Sequence, residues 1–293
     1  MFPITFVTTC KGRLHHVKQT LPVIVAAEPG EVILVDYGCP DNTGDWVEAN
    51  LPSVKVIRVT DDPGFCLPRA RNTGAAHATS PWICFIDADI IIQDGWLQWM
   101  QENLQPHHFY RAEPGEGLAN LETYGTVICS REDFNAVNGY DEVFRGWGGE
   151  DDDLYHRLSF LNANAQKRYP NHFVEAISHD DAERTTFHAI KNVKTQSFIN
   201  NCYMRVKEYL RSQGVHDIPF ETRQQLFNSL SDTLKQYAAR PKLFSTQVKA
   251  NNLTNIDGEH LDLLLEVARR RRYGLFGTRY TSVRTLKQTT AEA

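Results

Sequence analysis

No run of 18 apolar residues occurs anywhere in the 293, which excludes a hydrophobic helix long enough to cross a bilayer. A basic surplus is also missing: 31 Lys+Arg stand against 36 Asp+Glu, a formal net charge of -5, whereas a nucleic-acid binder needs a positive field. None of the six cysteines (Cys10, Cys39, Cys66, Cys84, Cys129 and Cys202) stands in CxxC spacing, so they predict reduced thiols rather than a zinc site or a disulfide frame. The opening MFPITFVTTCKGR lacks a basic start, a long apolar centre and a small-residue cleavage site, and a cytoplasmic location is expected from it. What remains is a globular composition, 41% hydrophobic and 23% charged, long enough for one large domain or a domain with an appendage.

The first half alternates between two periods. ITFVTT (4–9), EVILVDYG (31–38), VKVIRV (54–59) and WICFIDADIII (82–92) are short β-branched runs, and segments 13–27 and 69–79 between them suit helices. Such alternation predicts an α/β fold, a mostly parallel mixed sheet flanked by helices, whose ligands bind beyond the carboxyl ends of the strands. Thr8, Thr9, Cys10, Asp36, Asp87 and Asp89 stand at those ends. A further strand-like run, YGTVICS (124–130), precedes a short helix. From residue 183 the pattern turns helical and stays so through EHLDLLLEVARRRRYGLF, which predicts a catalytic domain over 1–210 and an α-helical C-terminal extension over 211–293.

Two motifs carry chemistry. In FIDADI the alternation of an extended chain turns Asp87 and Asp89 to one side, where two carboxylates suit a hard divalent cation shared with phosphate oxygens. In FRGWGGEDDDLYHRL four acids, Glu150 to Asp153, follow three glycines and a tryptophan. A solvated helix start tolerates the acids but does not call for a Gly-Trp-Gly-Gly segment before them. Adjacent carboxylates raise one another's pKa, and a helix N-terminus favours their charge.

These segments together resemble a known family. ARN-G and VD-G stretches ahead of an Asp-x-Asp are similar to the nucleotide-sugar half of GT-A (nucleotide-diphospho-sugar transferase) folds. GWGGEDDD resembles the signature of the galactosyltransferase-like branch, which includes β-1,4-galactosyltransferases and bacterial chondroitin-polymerase-type enzymes. The resemblance spans about residues 3 to 190. It implies a metal-dependent inverting glycosyltransferase, moving a hexose or N-acetylhexosamine, galactose-type favoured, from a UDP-sugar to a saccharide or glycolipid acceptor in bacterial surface polysaccharide assembly.

The resemblance also implies roles. Asp151 would be the general base, Asp152 would hold the acceptor, and Glu150 and Asp87 would lie near the donor. Asp89, His179 and Asp87 would bind Mn2+ or Mg2+, with His188 in reserve for His179. Thr8 and Asp36 would face uracil and ribose, and Arg69 or Arg71 would support the nucleotide site. Trp147 offers a flat face to a sugar, and Gly148 and Gly149 give its loop the freedom to close over donor. Tyr37 stands where many relatives have an acid. Rival readings are a retaining transferase, a nucleotidyltransferase, and a silent sugar-binding module, the last predicting loss of Asp87, Asp89, Asp151 or His179. The run Arg269–Arg272 reads as the solvated basic end of a helix, with peripheral contact of 268–280 to anionic lipid as the alternative.

Overall fold

The computed structural model describes residues 2–114, 122–178, 180–235, 244–254, 260–272 and 276–285. Within the first half the expected alternation is realised: β1 (Phe2–Cys10), α1 (Leu14–Ala26), β2 (Pro29–Asp36), α2 (Thr43–Asn50), β3 (Lys55–Arg58), α3 (Leu67–His77), β4 (Trp82–Asp87) and β5 (Ile90–Ile92). There follow α4 (Trp96–Asn103), β6 (Phe109–Ala112), β7 (Val127–Ser130), α5 (Arg131–Ala136), α6 (Glu150–Leu161), β8 (Gln166–Tyr169), β9 (Val174–Ala176) and α7 (Asp181–Arg184).

The strands form a seven-stranded sheet in the order β3-β2-β1-β4-β7-β6-β8, with β3, β2, β1 and β4 parallel and β7 antiparallel to β4. Alternate residues of β4 face opposite layers. Cys84 and Ile86 join Ile4, Phe6, Val17, Leu21 and Ile24 on one side, while Ile83 and Phe85 join Val7, Val35, Ala70 and Phe134 on the other. Because both faces are covered, these strands read as near-continuous apolar runs.

The run 82–92 is not one strand. It breaks at a turn over Ala88 and Asp89, after which β5 pairs with β9 in a small separate sheet. The turn is held by tertiary bonds: the Thr20 hydroxyl of α1 donates to the Ala88 carbonyl at 2.9 Å, and the Ile177 amide donates to that of Asp89 at 2.8 Å.

Chain contacts divide the protein into two compact units, Met1–Glu142 with Glu150–Ala189, and Val143–Gly149 with Ile190–Ala293. The second unit contains α8 (Val193–Ser212), α9 (Phe220–Leu234) and the strands β10 (Phe244–Thr254), β11 (His260–Arg272) and β12 (Phe276–Thr285), which form an antiparallel sheet in the order β10-β11-β12. Residue 210, the expected boundary, falls inside α8; Gly214 and Pro219 mark the connection from α8 to α9.

Of the helical extension expected over 211–293, α9 is helical and the described segments beyond it are strands. EHLDLLLEVARRRR is mostly strand β11, with Leu263 and Leu265 buried and Leu264 half-buried, the two-residue period of a sheet face. Pairing on both sides with strands rich in threonine and valine overrides the helix propensity of leucine, alanine and arginine. The arginine run therefore ends a strand, with Arg269 opposite Arg279 and Arg272 opposite Phe276, and is not a basic helix end.

Candidate active site

The acids that open α6 each meet a different environment. Asp153 is buried and bound to Arg157, one turn on, at 2.8 Å. Asp152 accepts a hydrogen bond from the Tyr124 hydroxyl. Asp151 accepts from the Arg71 guanidinium through Oδ1 at 2.5 Å, and its Oδ2 has no hydrogen-bond partner among the described residues. Glu150 is buried with Oε2 unpartnered; desolvation, reinforced by the charge of Asp151, pushes its carboxyl up to about 8, so it holds its proton at neutral pH.

Arg71 is the centre of the arrangement. Its side chain is 1% exposed, and one guanidinium nitrogen reaches Asp151 while the other reaches Asp87 Oδ1 at 2.7 Å. The same two nitrogens donate to the Tyr140 hydroxyl (2.9 Å) and the Gly125 carbonyl (3.2 Å), and the ring of Tyr140 lies 5.1 Å from the guanidinium carbon. Residues 71, 87 and 151 are thus held within one fork, a geometry that a guanidinium supplies and an ammonium does not. Gly125 leaves room for this contact. A Cβ there would lie 2.8 Å from Arg71 Nη2 and 2.9 Å from Asp87 Oδ2.

Asp87 and Asp89 are half-buried on either side of buried Ala88, and the turn over Ala88 and Asp89 replaces the extended chain expected there. Burial pushes Asp87 up, opposed by Arg71 and reinforced by the charges of Asp89 and Asp151. Two mutually repelling carboxylates form a hard-oxygen donor set of the kind a divalent cation takes. His179 lies outside the described residues. His188 stacks on Phe65 with ring centroids 6.3 Å apart.

The other expected residues divide. Arg69 and Arg71 are two positions apart on α3 and face different ways: Arg69 pairs through Nη2 with both carboxylate oxygens of exposed Asp61, away from the Asp87 and Asp151 carboxylates. Asp36 ends β2 with both oxygens engaged, Oδ1 accepting from the Cys39 amide (2.7 Å) and Oδ2 from that of Gly44 (2.9 Å), which anchors the start of α2. Thr8 is buried in β1 with its hydroxyl unpartnered. The Tyr37 hydroxyl donates to Asp62 at 2.7 Å, and burial pushes that phenol upward.

Lys11 escaped the sequence reading. It follows β1 directly, is 8% exposed, and its ammonium lies 5.6 Å from the Tyr37 ring centroid and 5.4 Å from that of Phe187, with no carboxylate partner among the described residues. A covered ammonium without an anion is costly, which marks it as a candidate for an anionic ligand group. Nothing in TTCKGR distinguishes it, because the rings that cover it come from residues 37 and 187.

In the second unit, Val143–Gly149 is fixed by α8. Asn200, fully buried, directs its amide nitrogen to the carbonyls of Arg145 (3.0 Å), Trp147 (3.4 Å) and Gly148 (2.6 Å), while its oxygen accepts from Gln196 at 2.8 Å. Gly148 and Gly149 have φ of 88° and 96°, conformations that L side chains rarely adopt. The Trp147 ring is left 40% exposed.

Residues 5–110 match the family model "Glycosyl transferase family 2", and residues 110–185 match "N-terminal domain of galactosyltransferase". The two matches adjoin and together cover residues 5–185, a span similar to a glycosyltransferase domain. The second match covers Tyr124, Tyr140 and the α6 acids, and the first covers Arg71 and Asp87, so the Arg71 fork joins the two matched segments of that domain. The chain is 41% identical over 121 residues to bovine β-1,4-galactosyltransferase 1, covering 39% of this chain and 30% of the relative. It is 31% identical over 125 residues to rat β-1,4-galactosyltransferase 4 (40% and 36%). With the pre-mycofactocin glycosyltransferase of Mycobacterium tuberculosis it shares 28% identity over 183 residues (51% and 37%). The match thus spans about a third of the length of each of these relatives.

Among solved structures it resembles S. aureus TarS 1–349 in complex with UDP-GlcNAc, with a TM-score of 0.54 at 15% identity, covering 80% of this chain and 73% of that one. It also resembles the Pyrobaculum calidifontis mannosyltransferase in complex with GDP-Man and Mn2+, with a TM-score of 0.52 at 15% identity, covering 79% and 72%. The fold is GT-A. None of its described helices is long and apolar enough to cross a membrane.

The protonation of Glu150 has a measurable consequence. Its folded pKa of about 8 lies above the ordinary 4.5, so folding retains a proton that the unfolded chain releases, and the stability from this site is lost as pH rises from about 4.5 to about 8. Glu150→Gln, which keeps the neutral shape, is expected to raise the unfolding free energy relative to the parent by a margin that grows across that window, on the order of a few kcal/mol at the upper end. A margin that stays flat from pH 5 to pH 8 would show that Glu150 is ionised throughout.

Proposed function

We propose that this domain transfers a hexose or N-acetylhexosamine, galactose-type favoured, from a UDP-sugar to a saccharide or glycolipid acceptor, with inversion and with the help of a divalent cation. The observation that carries the reading is the Arg71 fork, which joins Asp87 to Asp151. Asp151 Oδ1 is fixed by the guanidinium, and Oδ2 is the oxygen left to accept a proton. As the acceptor oxygen bonds to the anomeric carbon, its proton passes to Asp151 Oδ2, the carbon–oxygen bond to the diphosphate breaks, and the electron pair leaves with UDP. Attack on the face opposite the leaving group converts an α-linked donor into a β-linked product.

Asp152, bound by Tyr124, is assigned to the acceptor, and Glu150, protonated at neutral pH, to hydrogen bonding with the donor sugar. Asp87 and Asp89, with His179, are assigned to the cation, Mn2+ or Mg2+. Bound there, it supplies Lewis-acid stabilisation of the departing diphosphate. Lys11 and Thr8, with an uncompensated ammonium and an unpartnered hydroxyl, are assigned to the nucleotide diphosphate, and Asp36 acts through the turn it anchors. The exposed ring of Trp147, between glycines, is assigned to stacking on a sugar. The scattered cysteines, without CxxC spacing, favour a cytoplasmic enzyme.

The test is a panel of UDP- and GDP-sugars assayed for binding and hydrolysis with Mn2+, with Mg2+ and with chelator. Metal-dependent selection of one UDP-sugar is expected. If no sugar nucleotide interacts in a metal-dependent way, the domain is a silent module and the reading fails.

A further inference from the structure

A second group of metal-ligating side chains lies at the start of α1. Nε2 of His15 is 3.0 Å from Glu183 Oε1, and Nδ1 of His16 is 3.9 Å from the same oxygen. One ligand atom from each of His15, His16 and Glu183 lies within 4.8 Å of the others, the only such group of three or more among the described residues. Nothing near residues 15 and 16 announces the group in the sequence, since Glu183 is 167 and 168 positions away.

Two features separate this group from an ordinary surface ion pair. Neighbouring positions on a helix do not normally face one another, yet the His15 and His16 rings lie with centroids 4.1 Å apart and both turn to one carboxylate. A cationic group also already sits among the three: the Arg13 guanidinium is 2.6 Å from Glu183 Oε1 and 3.5 Å from His16 Nδ1. The His16 side chain is 4% exposed, so one of the three ligand groups is fixed by burial.

We propose that His15 Nε2, His16 Nδ1 and a carboxylate oxygen of Glu183 form a second, borderline transition-metal site, selective for Zn2+-like ions over Mg2+, with Arg13 as its built-in competitor. Two imidazoles and one carboxylate form a donor set typical of zinc, with a fourth position left to water or ligand. Hard ions that prefer all-oxygen shells are poor occupants, which distinguishes this site from the Asp87 and Asp89 pair. Occupation displaces Arg13 from Glu183 and ties α7 to α1 through the ion. Because Arg13 must give way, affinity is moderate and rises when its charge is removed.

The experiment is Zn2+ titration calorimetry on the full chain, with Co2+ absorption as a spectroscopic check, in an Asp89→Asn background that disables the hard-ion pair. One Zn2+ is expected to bind, insensitive to millimolar Mg2+. His15→Ala, an exposed and structurally mild change, and Glu183→Gln are each expected to weaken it at least tenfold, and Arg13→Gln to tighten it. Co2+ should give the intense visible bands of a four-coordinate site. Absence of Zn2+ binding, its loss with Asp89→Asn alone, or indifference to both His15→Ala and Glu183→Gln would each overturn the proposal. These readouts do not involve sugar transfer, so they stand or fall independently of the proposed activity.

Discussion

Asp151→Asn should reduce turnover by on the order of 10²- to 10⁴-fold, the range that removal of a general base usually costs, while metal-dependent nucleotide affinity changes little. Asparagine preserves the size of the side chain and still offers one oxygen to the Arg71 guanidinium, 2.5 Å from Asp151 Oδ1. It removes the carboxylate that would accept the acceptor's proton. The fall should therefore appear in kcat and in kcat/KM together, because the missing interaction exists only in the transition state. Near-normal turnover would take the base role from Asp151, and a raised KM with unchanged kcat would make it a binding residue.

Arg71→Met should cost more in stability than any other single change in the site. Removing the partner of two carboxylates in a largely buried setting leaves their charge uncompensated, and breaking a buried pair typically costs about 3–5 kcal/mol. Arg71→Lys separates charge from geometry, since an ammonium can pair with one carboxylate but cannot fork to both. Lysine should restore much of the melting temperature and little of the turnover, leaving kcat depressed by about 10²-fold through misplacement of Asp151. A variant whose melting temperature and kcat recover in parallel would show that Arg71 is needed for its charge alone. Because the assigned role is to position Asp151 and Asp87, KM for the donor should change less than kcat.

These two residues show what local pattern can and cannot reveal. Asp87 and Asp89 were legible because they follow an apolar strand, and the α6 acids because a glycine-tryptophan segment precedes them. Their different states were not legible. Four neighbouring carboxyls meet Arg71, Tyr124, Arg157 and an unpartnered interior, and only the packing of α6 against other elements decides which acid meets which. Arg69 and Arg71 were indistinguishable in LPRARNTG, yet the rotation of α3 turns one towards Asp61 and the other into the core. The segment HLDLLLEVARRRR shows the converse, a sequence with helical propensity that becomes a strand because both its edges are paired.

By itself the sequence determined the alternating strands and helices of the first half and the acidic opening of α6, since each follows from the pattern over a few residues. Tertiary structure alone decided that residues 71, 87 and 151 form one charged fork, that Lys11 is covered by the rings of Tyr37 and Phe187, and that His15, His16 and Glu183 meet. The physical reason is separation: these partners lie up to 176 positions apart, and their proximity is produced by the sheet and the helices packed on it, which no local period encodes.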